Sequence, residues 1–138
     1  MLQYPARIEK DGEYYLVSFP DFENIHTFGS TMEEALKNAE EALNGCLESD
    51  FERGFRIDAP SRREGDDVRL IPVKPHIAVA LMLRQLRADQ SQIEVARKLH
   101  ISYQVYQRLE NPRKSNPTIK TLEKIAQIYG KKMELEFV

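Results

Sequence analysis

The chain has 138 residues, 41% of them hydrophobic and 30% charged, a composition typical of globular domains. No apolar run approaches the about 20 residues that a membrane-spanning helix needs, and MLQYPARIEKD lacks the apolar segment of a signal peptide. We therefore expect the N-terminus to be part of the fold, and the single cysteine excludes an internal disulfide framework. We therefore expect a cytoplasmic protein in which Cys46, on an apolar helical face, is a small core residue rather than a reactive thiol.

The net charge of −2 hides an asymmetry between the two halves of the chain. Residues 1–70 hold 8 Lys or Arg against 16 Asp or Glu, a net charge of −8, whereas residues 71–138 hold 12 against 6, a net charge of +6. This split predicts two domains with different partners. The basic half suits a polyanion and the acidic half a basic protein, although charges that only solvate the surface would give the same pattern.

The first half predicts the element order β-β-β-α-β. Alternating, aromatic or β-branched residues indicate strands near residues 4–8, 14–19 and 25–28, with Asp11-Gly12 as a hairpin turn and Pro20-Asp21 as a break.

A long helix follows these strands. Ser30 and Glu33 are spaced as a capping box, and apolar residues then repeat every three or four positions. This pattern predicts a helix from residue 31 to about residue 52, ended by Gly54.

The predicted domain boundary is Lys74-Pro75. Before it, the polar stretch 58–67 predicts a loop, and residues 68–73 predict a fourth strand whose proline suits a sheet edge. We expect one domain over residues 1–73 and a second over residues 74–138, and hence an α+β protein.

The second domain is predicted to be all α-helical until its last residues. Three helices are predicted at 76–87, 92–98 and 103–110, of which Ser91 opens the second and Ser102 caps the third. A fourth helix is capped by Thr118 and runs to Tyr129. Strict alternation over residues 132–137 predicts a short terminal strand.

The middle two of these helices have the spacing of a helix-turn-helix. Such a motif needs a small residue where the helices approach and apolar anchors on their inner faces. His100 stands at the tight turn, where glycine is usual. The predicted inner residues are Val95, Ala96, Leu99, Ile101, Tyr106 and Leu109.

The outer face of the third helix carries side chains that can read base edges. Gln pairs bidentately with adenine and Arg with guanine in the major groove. An ordinary polar helix face would look the same. The predicted base readers are Tyr103, Gln104, Gln107 and Arg108, and the predicted phosphate contacts are Gln92, Asn111, Arg113 and Lys114.

Residues 83–129 resemble the Cro/C1-type helix-turn-helix family. The resemblance rests on Ser91-Gln92, Val95-Ala96, Leu99, Ile101-Ser102, Arg108-Leu109-Glu110-Asn111, Asn116-Pro117-Thr118, Thr121-Leu122 and Lys124-Ile125-Ala126. It implies base reading by Tyr103, Gln104 and Arg108, and phosphate contacts by Gln92 and Asn111. The sequence departs from the family pattern at two positions, because His100 replaces a glycine and Tyr106 replaces an isoleucine or valine.

The acidic half resembles the antitoxin HicB of HicA/HicB toxin-antitoxin systems. The resemblance rests on Tyr4-Pro5, Tyr15, Val17 to Phe22, Thr27, Gly29, Thr31, Glu34-Ala35, Ala39 and Glu41-Ala42-Leu43. It implies a partial, catalytically inactive ribonuclease-H-like fold that covers a small basic, mRNA-cleaving toxin of the HicA type. It also implies that the helix-turn-helix represses the shared operon by binding operator DNA.

The toxin-contacting residues are the least determined part of this interpretation. The candidates are an exposed loop and acidic helix faces, namely Asp21, Phe22, Glu23, Glu33 and Glu40. Core packing is the alternative for Phe22. A two-metal nuclease site built from the carboxylates is a weaker alternative, because turns, capping and solvation explain them. We expect no enzymatic activity, no catalytic residue, no bound metal and no cofactor.

The terminal strand predicts self-association. Its apolar face of Met133, Leu135 and Phe137 needs cover and a lone strand needs a partner, so we expect a homodimer across a two-fold axis. The N-terminal sheet edge offers a second contact that would make tetramers. The alternative function is a standalone transcriptional regulator whose N-terminal domain senses a small ligand or another protein.

Overall fold

A computed structural model describes residues 2–138, and the chain divides into two compact units, Met1–Pro75 (unit 1) and His76–Val138 (unit 2). Within the described residues, no helix is both long and apolar enough to cross a membrane.

Unit 1 is an antiparallel sheet covered on one face by a helix. Its elements are β1 (Gln3–Asp11), β2 (Tyr14–Phe19), β3 (Phe22–Gly29), α1 (Met32–Glu52) and β4 (Val68–Pro72). The strand order is β3-β2-β1-β4, so β3 and β4 form the two edges. The predicted order β-β-β-α-β is confirmed, and β4, which ends at Pro72, lies at an edge of the sheet.

The core of unit 1 lies between α1 and the sheet. Small and branched residues on one stripe of α1 are buried, as are the inward residues of the strands. The backbone of β3 approaches α1 so closely at Gly29 that a Cβ there would collide with the backbone of Ala35. The buried side chain of Asn44 binds the backbone at the end of β4: its Nδ2 donates to Pro72 O at 3.2 Å, and its Oδ1 accepts from Lys74 N at 2.8 Å.

Helix α1 begins one residue later than predicted. Its N-cap is Thr31, whose Oγ1 accepts from Glu34 N at 3.0 Å, so the predicted Ser30–Glu33 capping box is wrong. Ser30 instead donates its hydroxyl proton to the Glu34 carboxylate, at 2.9 Å. At the other end, Gly54 adopts a φ of 74° just after the last helical turn, as predicted.

The predicted exposed loop at residues 21–23 is also wrong. The structure has only a tight turn at Pro20 and Asp21, and Phe22 is the first residue of β3. Its half-buried ring packs edge-on against Tyr4, with ring centroids 5.0 Å apart. The apolar ring is more stable against Tyr4 than in water, so Phe22 belongs to the edge of the core.

Cys46 lies on α1 and is half-buried, which agrees with a packing role. Burial, and then the nearby Asp50 carboxylate, raise the pKa of its thiol to about 11. The reactive thiolate is therefore scarce at neutral pH.

Unit 2 contains four helices, α2 (Pro75–Arg87), α3 (Gln92–Lys98), α4 (Tyr103–Leu109) and α5 (Ile119–Ile128). Serine or threonine caps the last three, because Ser91, Ser102 and Thr118 each accept from the backbone amide three residues later. All six predicted inner residues pack into one core, Ile101 at its margin. The core residues are Leu83, Val95, Ala96, Leu99, Tyr106, Leu109 and Ile125.

The turn between α3 and α4 places His100 in the left-handed region, with a φ of 58°. His100 N donates to Arg97 O at 3.1 Å, and Ile101 N donates to Ala96 O at 3.1 Å. These two bonds form a Schellman motif, which requires a positive φ at the position that His100 occupies.

A buried carboxylate ties α4 to the helices before it. Glu110 is 2% exposed, and its carboxylate accepts from Arg87 Nε at 2.7 Å and from Arg87 Nη2 at 3.0 Å. Gln92 Nε2 also donates to it, at 3.3 Å. Burial and a hydrogen bond to Glu110 raise the pKa of Tyr106, so its phenol stays protonated against this charge. Sequence spacing does not reveal this cluster, because Arg87 and Glu110 are 23 residues apart.

The predicted terminal strand is absent from the structure of the single chain, in which residues 131–138 form neither helix nor strand. Leu135 is 69% exposed and Phe137 is 95% exposed. A strand needs a neighbour for its backbone groups, and within residues 2–138 the sheet contains only β1 to β4.

His100→Gly is expected to raise the free energy of unfolding by about 0.5–1 kcal/mol. Glycine removes the left-handed penalty of about 1–2 kcal/mol, and its greater unfolded-state entropy offsets part of that gain. Urea denaturation of the purified protein measures the change. His100→Ala is the control and should not stabilise, whereas a loss of stability in His100→Gly would mean that the imidazole makes a contact worth more than the backbone penalty.

Glu110→Gln is expected to lower the free energy of unfolding by about 3 kcal/mol. The substitution leaves the Arg87 guanidinium partly buried opposite a neutral amide, and breaking one partner of such a pair is strongly destabilising. Denaturant unfolding with the exposed Glu123→Gln as control, expected within about 0.5 kcal/mol of the parent, measures it. Equal effects of the two substitutions would contradict this role for Glu110.

Candidate nucleic-acid interface

Burial of one side of α4 determines which side faces solvent. Tyr106 and Leu109, three positions apart, are buried in the core of unit 2. The helical period then turns the intervening residues outward. The four predicted base readers are all exposed, and they are Tyr103, Gln104, Gln107 and Arg108.

These four side chains form one polar surface. The Gln107 amide nitrogen lies 3.5 Å from the Tyr103 hydroxyl, so the two side chains are neighbours on adjacent turns. Two amides, one guanidinium and one phenol can donate to and accept from base edges, and a major groove about 12 Å wide admits a helix. The geometry therefore permits α4 to present these groups to DNA as a unit.

Val105 is a further residue on this surface and was not among the predicted base readers. It lies on α4 with 38% of its surface exposed, beside the polar side chains rather than in the core. An apolar side chain at such a position can contact the methyl group of thymine. Val105 lies outside the buried stripe of α4, and the helical period could have identified it as an exposed residue.

Gln92, a predicted phosphate contact, is already positioned by the protein. It is the first residue of α3, is half-buried, and donates to the buried Glu110 carboxylate. This bond restricts the rotamers of the Gln92 side chain. Because the same carboxylate binds Arg87, α2 and α3 are both linked to the end of α4.

Asn111, the second predicted phosphate contact from the resemblance, organises the loop after α4. Its Oδ1 accepts from Arg113 N at 3.0 Å, and its carbonyl oxygen accepts from Lys114 N at 3.0 Å and from Ser115 N at 2.7 Å. These bonds give Asn111 a structural role. The side chains of Arg113 and Lys114 are exposed on the resulting turn, just beyond α4.

The predicted toxin-contacting residues fall on separate elements of unit 1. Asp21, at the turn before β3, is half-buried and accepts from Ser61 N at 3.0 Å, which fastens the loop after α1. Glu23 is exposed on β3, Glu33 is exposed on α1, and Glu40 is half-buried on the same helix. Glu33 and Glu40 share a helix flank because they are seven residues apart.

The Tyr4 hydroxyl of unit 1 lies close to two acidic residues. Tyr4 donates its hydroxyl proton to Asp58 O at 2.7 Å, and burial together with Asp21 and Asp58 raises the pKa of Tyr4 to about 12. Throughout residues 2–138, no group of three or more His, Cys, Asp or Glu side chains converges on a point that could hold a metal ion.

Comparison with known proteins relates both units to known families. The model for the HicB-like antitoxin of bacterial toxin-antitoxin systems matches residues 3–80, and a helix-turn-helix model matches residues 83–135. Antitoxin HicB 2 of Photorhabdus laumondii is 32% identical over 134 residues, which cover 97% of this chain and 95% of that protein. Antitoxin HicB of Escherichia coli K12 is 29% identical over 139 residues, 99% of this chain and all of that one.

The crystal structure of the Burkholderia pseudomallei antitoxin HicB superposes with a TM-score of 0.49 at 23% identity, covering 65% of this chain and 87% of that one. The family model spans more than half of the chain, and the Photorhabdus relative matches nearly all of both sequences. The chain therefore belongs to the HicB family of bacterial antitoxins and carries a helix-turn-helix DNA-binding domain.

Proposed function

We propose that the protein neutralises a small, basic, mRNA-cleaving toxin of the HicA type and represses its own toxin-antitoxin operon. The observation that carries this proposal is the exposed polar face of α4, whose opposite side packs into the core of unit 2. The other unit of the chain matches the HicB-like antitoxin family. One unit would bind operator DNA and the other would bind the toxin. This pairing allows one protein to control both the toxin and its synthesis.

The DNA-binding half of the proposal rests on α4 and the turn after it. Gln104 and Arg108 lie on the exposed face and can each make a bidentate contact with a base. Arg113 and Lys114 are exposed beside them and suit phosphate. Contacts to phosphate position a protein on DNA, and contacts to base edges read the sequence.

The toxin-binding half of the proposal rests on charge. Residues 1–70 carry a net charge of −8. A toxin that cleaves mRNA needs a cationic surface for the phosphate backbone, and an acidic protein seated on that surface would exclude RNA. The acidic flank of α1 with Glu33 and Glu40 is the candidate contact, together with Asp21 and Glu23 near the start of β3.

We propose that the C-terminal segment joins two copies for operator binding. Met133, Leu135 and Phe137 alternate with charged residues, and the last two are largely exposed in the single chain. Pairing with the same segment of a second copy would satisfy the backbone of residues 132–137 and cover these side chains. A dimer would present two α4 helices to half-sites about one helical turn, ~34 Å, apart.

Gln104→Ala and Arg108→Ala are each expected to weaken binding to DNA from the gene's own promoter by about tenfold to a hundredfold. Each removes one bidentate base contact, worth about 1–3 kcal/mol. Fluorescence anisotropy at several salt concentrations measures the affinity, and wild-type binding should weaken steeply as salt rises. Gln127→Ala, an exposed glutamine on α5, is the control. If Gln104→Ala and Arg108→Ala bind as tightly as Gln127→Ala, α4 is not the recognition helix.

A short basic protein encoded beside this gene is expected to co-purify with the chain and to lose its mRNA-cleaving activity in the complex. The double substitution Glu33→Lys/Glu40→Lys should weaken that complex at least tenfold, because it reverses charge on the proposed contact flank. Titration calorimetry and a cleavage assay give the two readouts. Glu13→Lys, at the exposed β1–β2 turn, is the matched control. A neighbour that neither binds nor cleaves RNA would instead support a standalone regulator.

A further inference from the structure

Two side chains on the polar surface of α4 already contact each other in the protein alone. Tyr103 and Gln107 are four residues apart, so they lie on adjacent turns of the same helix face. Gln107 Nε2 donates to the Tyr103 hydroxyl oxygen at 3.5 Å, which is a long hydrogen bond between exposed groups. This bond restricts the rotamers of Gln107 and favours one orientation of its amide.

Tyr103 is the more restrained member of this pair. It is the first residue of α4, directly after the N-cap Ser102, and 38% of its surface is exposed. A tyrosine side chain has two rotatable χ angles and a glutamine side chain has three, so the tyrosine loses less conformational entropy when it is held in place. The ring of Tyr103 is therefore suited to orient the more flexible amide of Gln107.

The amide of Gln107 has one oxygen acceptor and two N–H donors. One N–H lies beside the oxygen, and together they form the edge that binds adenine bidentately, at N6 and N7. The other N–H points away from that edge. Donation of this second N–H to Tyr103 leaves the edge that reads adenine free.

The opposite orientation of the amide would select another base. With its oxygen turned to Tyr103, Gln107 would accept the phenolic proton and present only N–H groups. Two donors suit the two acceptors of guanine, O6 and N7. Because the Tyr103 hydroxyl can donate or accept, the base that Gln107 reads shows which orientation the amide has on DNA.

The DNA groove strengthens the hydrogen bond between the two side chains. In solution an exposed hydrogen bond competes with water and contributes little net stability. A groove that excludes water lowers the local dielectric, and the same bond becomes electrostatically stronger. The orientation of the amide is therefore held most firmly when a base is being read.

We propose that Tyr103 is a positioning residue that orients Gln107 to read adenine. The inference rests on the function proposed above, because it requires α4 to enter the major groove. Tyr103 holds the amide nitrogen of Gln107 on its own side, so the oxygen and the N–H beside it face the base edge. The phenolic proton, which this hydrogen bond does not use, can be donated to a phosphate oxygen.

Selection of binding sequences from a random DNA pool tests the proposal with the full-length wild type, Gln107→Ala and Tyr103→Phe. The base pair whose preference disappears in Gln107→Ala is the one that Gln107 reads, and the wild type should have adenine there. Tyr103→Phe should keep the rest of the motif and select adenine and guanine about equally at that pair. Guanine there in the wild type, or an unchanged motif in either variant, would overturn the proposal.

Fluorescence anisotropy on two duplexes that differ only in that base pair measures the preference directly. The wild type should bind the adenine duplex about tenfold more tightly, and Tyr103→Phe about threefold or less. Adding Tyr103→Phe to Gln107→Ala should not change the preference further, because the two residues act as a pair. Tyr14→Phe, at an exposed tyrosine of unit 1, is the control and should keep the wild-type preference. Circular dichroism should show all variants folded.

A direct contact between Tyr103 and DNA would give a different result. Tyr103→Phe would then weaken binding to both duplexes equally and leave the preference unchanged, which would contradict a positioning role. The function proposed above fails separately. If the wild type selects no motif, α4 does not read DNA and both proposals are wrong. If the wild type and Tyr103→Phe select the same motif, α4 reads DNA and only the role of Tyr103 is wrong.

Discussion

The ion pair between Arg87 and the buried carboxylate of Glu110 constrains the whole of unit 2. Glu110 directly follows α4, Arg87 ends α2, and Gln92 begins α3, so one carboxylate joins three helices. A carboxylate that is 2% exposed is strongly destabilising without partners, and any packing of α4 that separates it from Arg87 incurs that penalty. The apolar core makes unit 2 compact, and this polar cluster restricts the angle at which α4 presents its outer face.

The turn between α3 and α4 also restricts the orientation of α4. His100 closes a Schellman motif that leaves only a few residues between the helices. A left-handed histidine is less stable than a left-handed glycine, and the packing of Val95, Ala96 and Tyr106 maintains that conformation. Base recognition requires α4 to be rigid, because a misplaced side chain leaves its hydrogen-bonding groups unpaired in the groove. The buried residues of unit 2 thus determine how its exposed residues act.

The sequence predicted what depends on local periodicity. Apolar spacing predicted the helices, and Ser91, Ser102 and Thr118 were predicted as caps because a capping hydroxyl lies close to the amide that it binds. Thr31 was missed because Ser30 is an equally competent cap, and the choice depends on how closely β3 packs on α1 at Gly29. Glu110 was missed because burial of a charge depends on Arg87, 23 residues away. The C-terminal alternation predicted a strand, but a strand also depends on a neighbour, which a single chain does not contain.

The central claim is that two α4 helices of this protein read two halves of one DNA site. Selection of binding sequences from a random DNA pool by the full-length protein tests that claim most directly. We expect enrichment of an inverted repeat with half-site centres about one helical turn apart, and conserved G and A bases within each half-site. A pool that enriches no motif, or only a single half-site without its inverted copy, would contradict it.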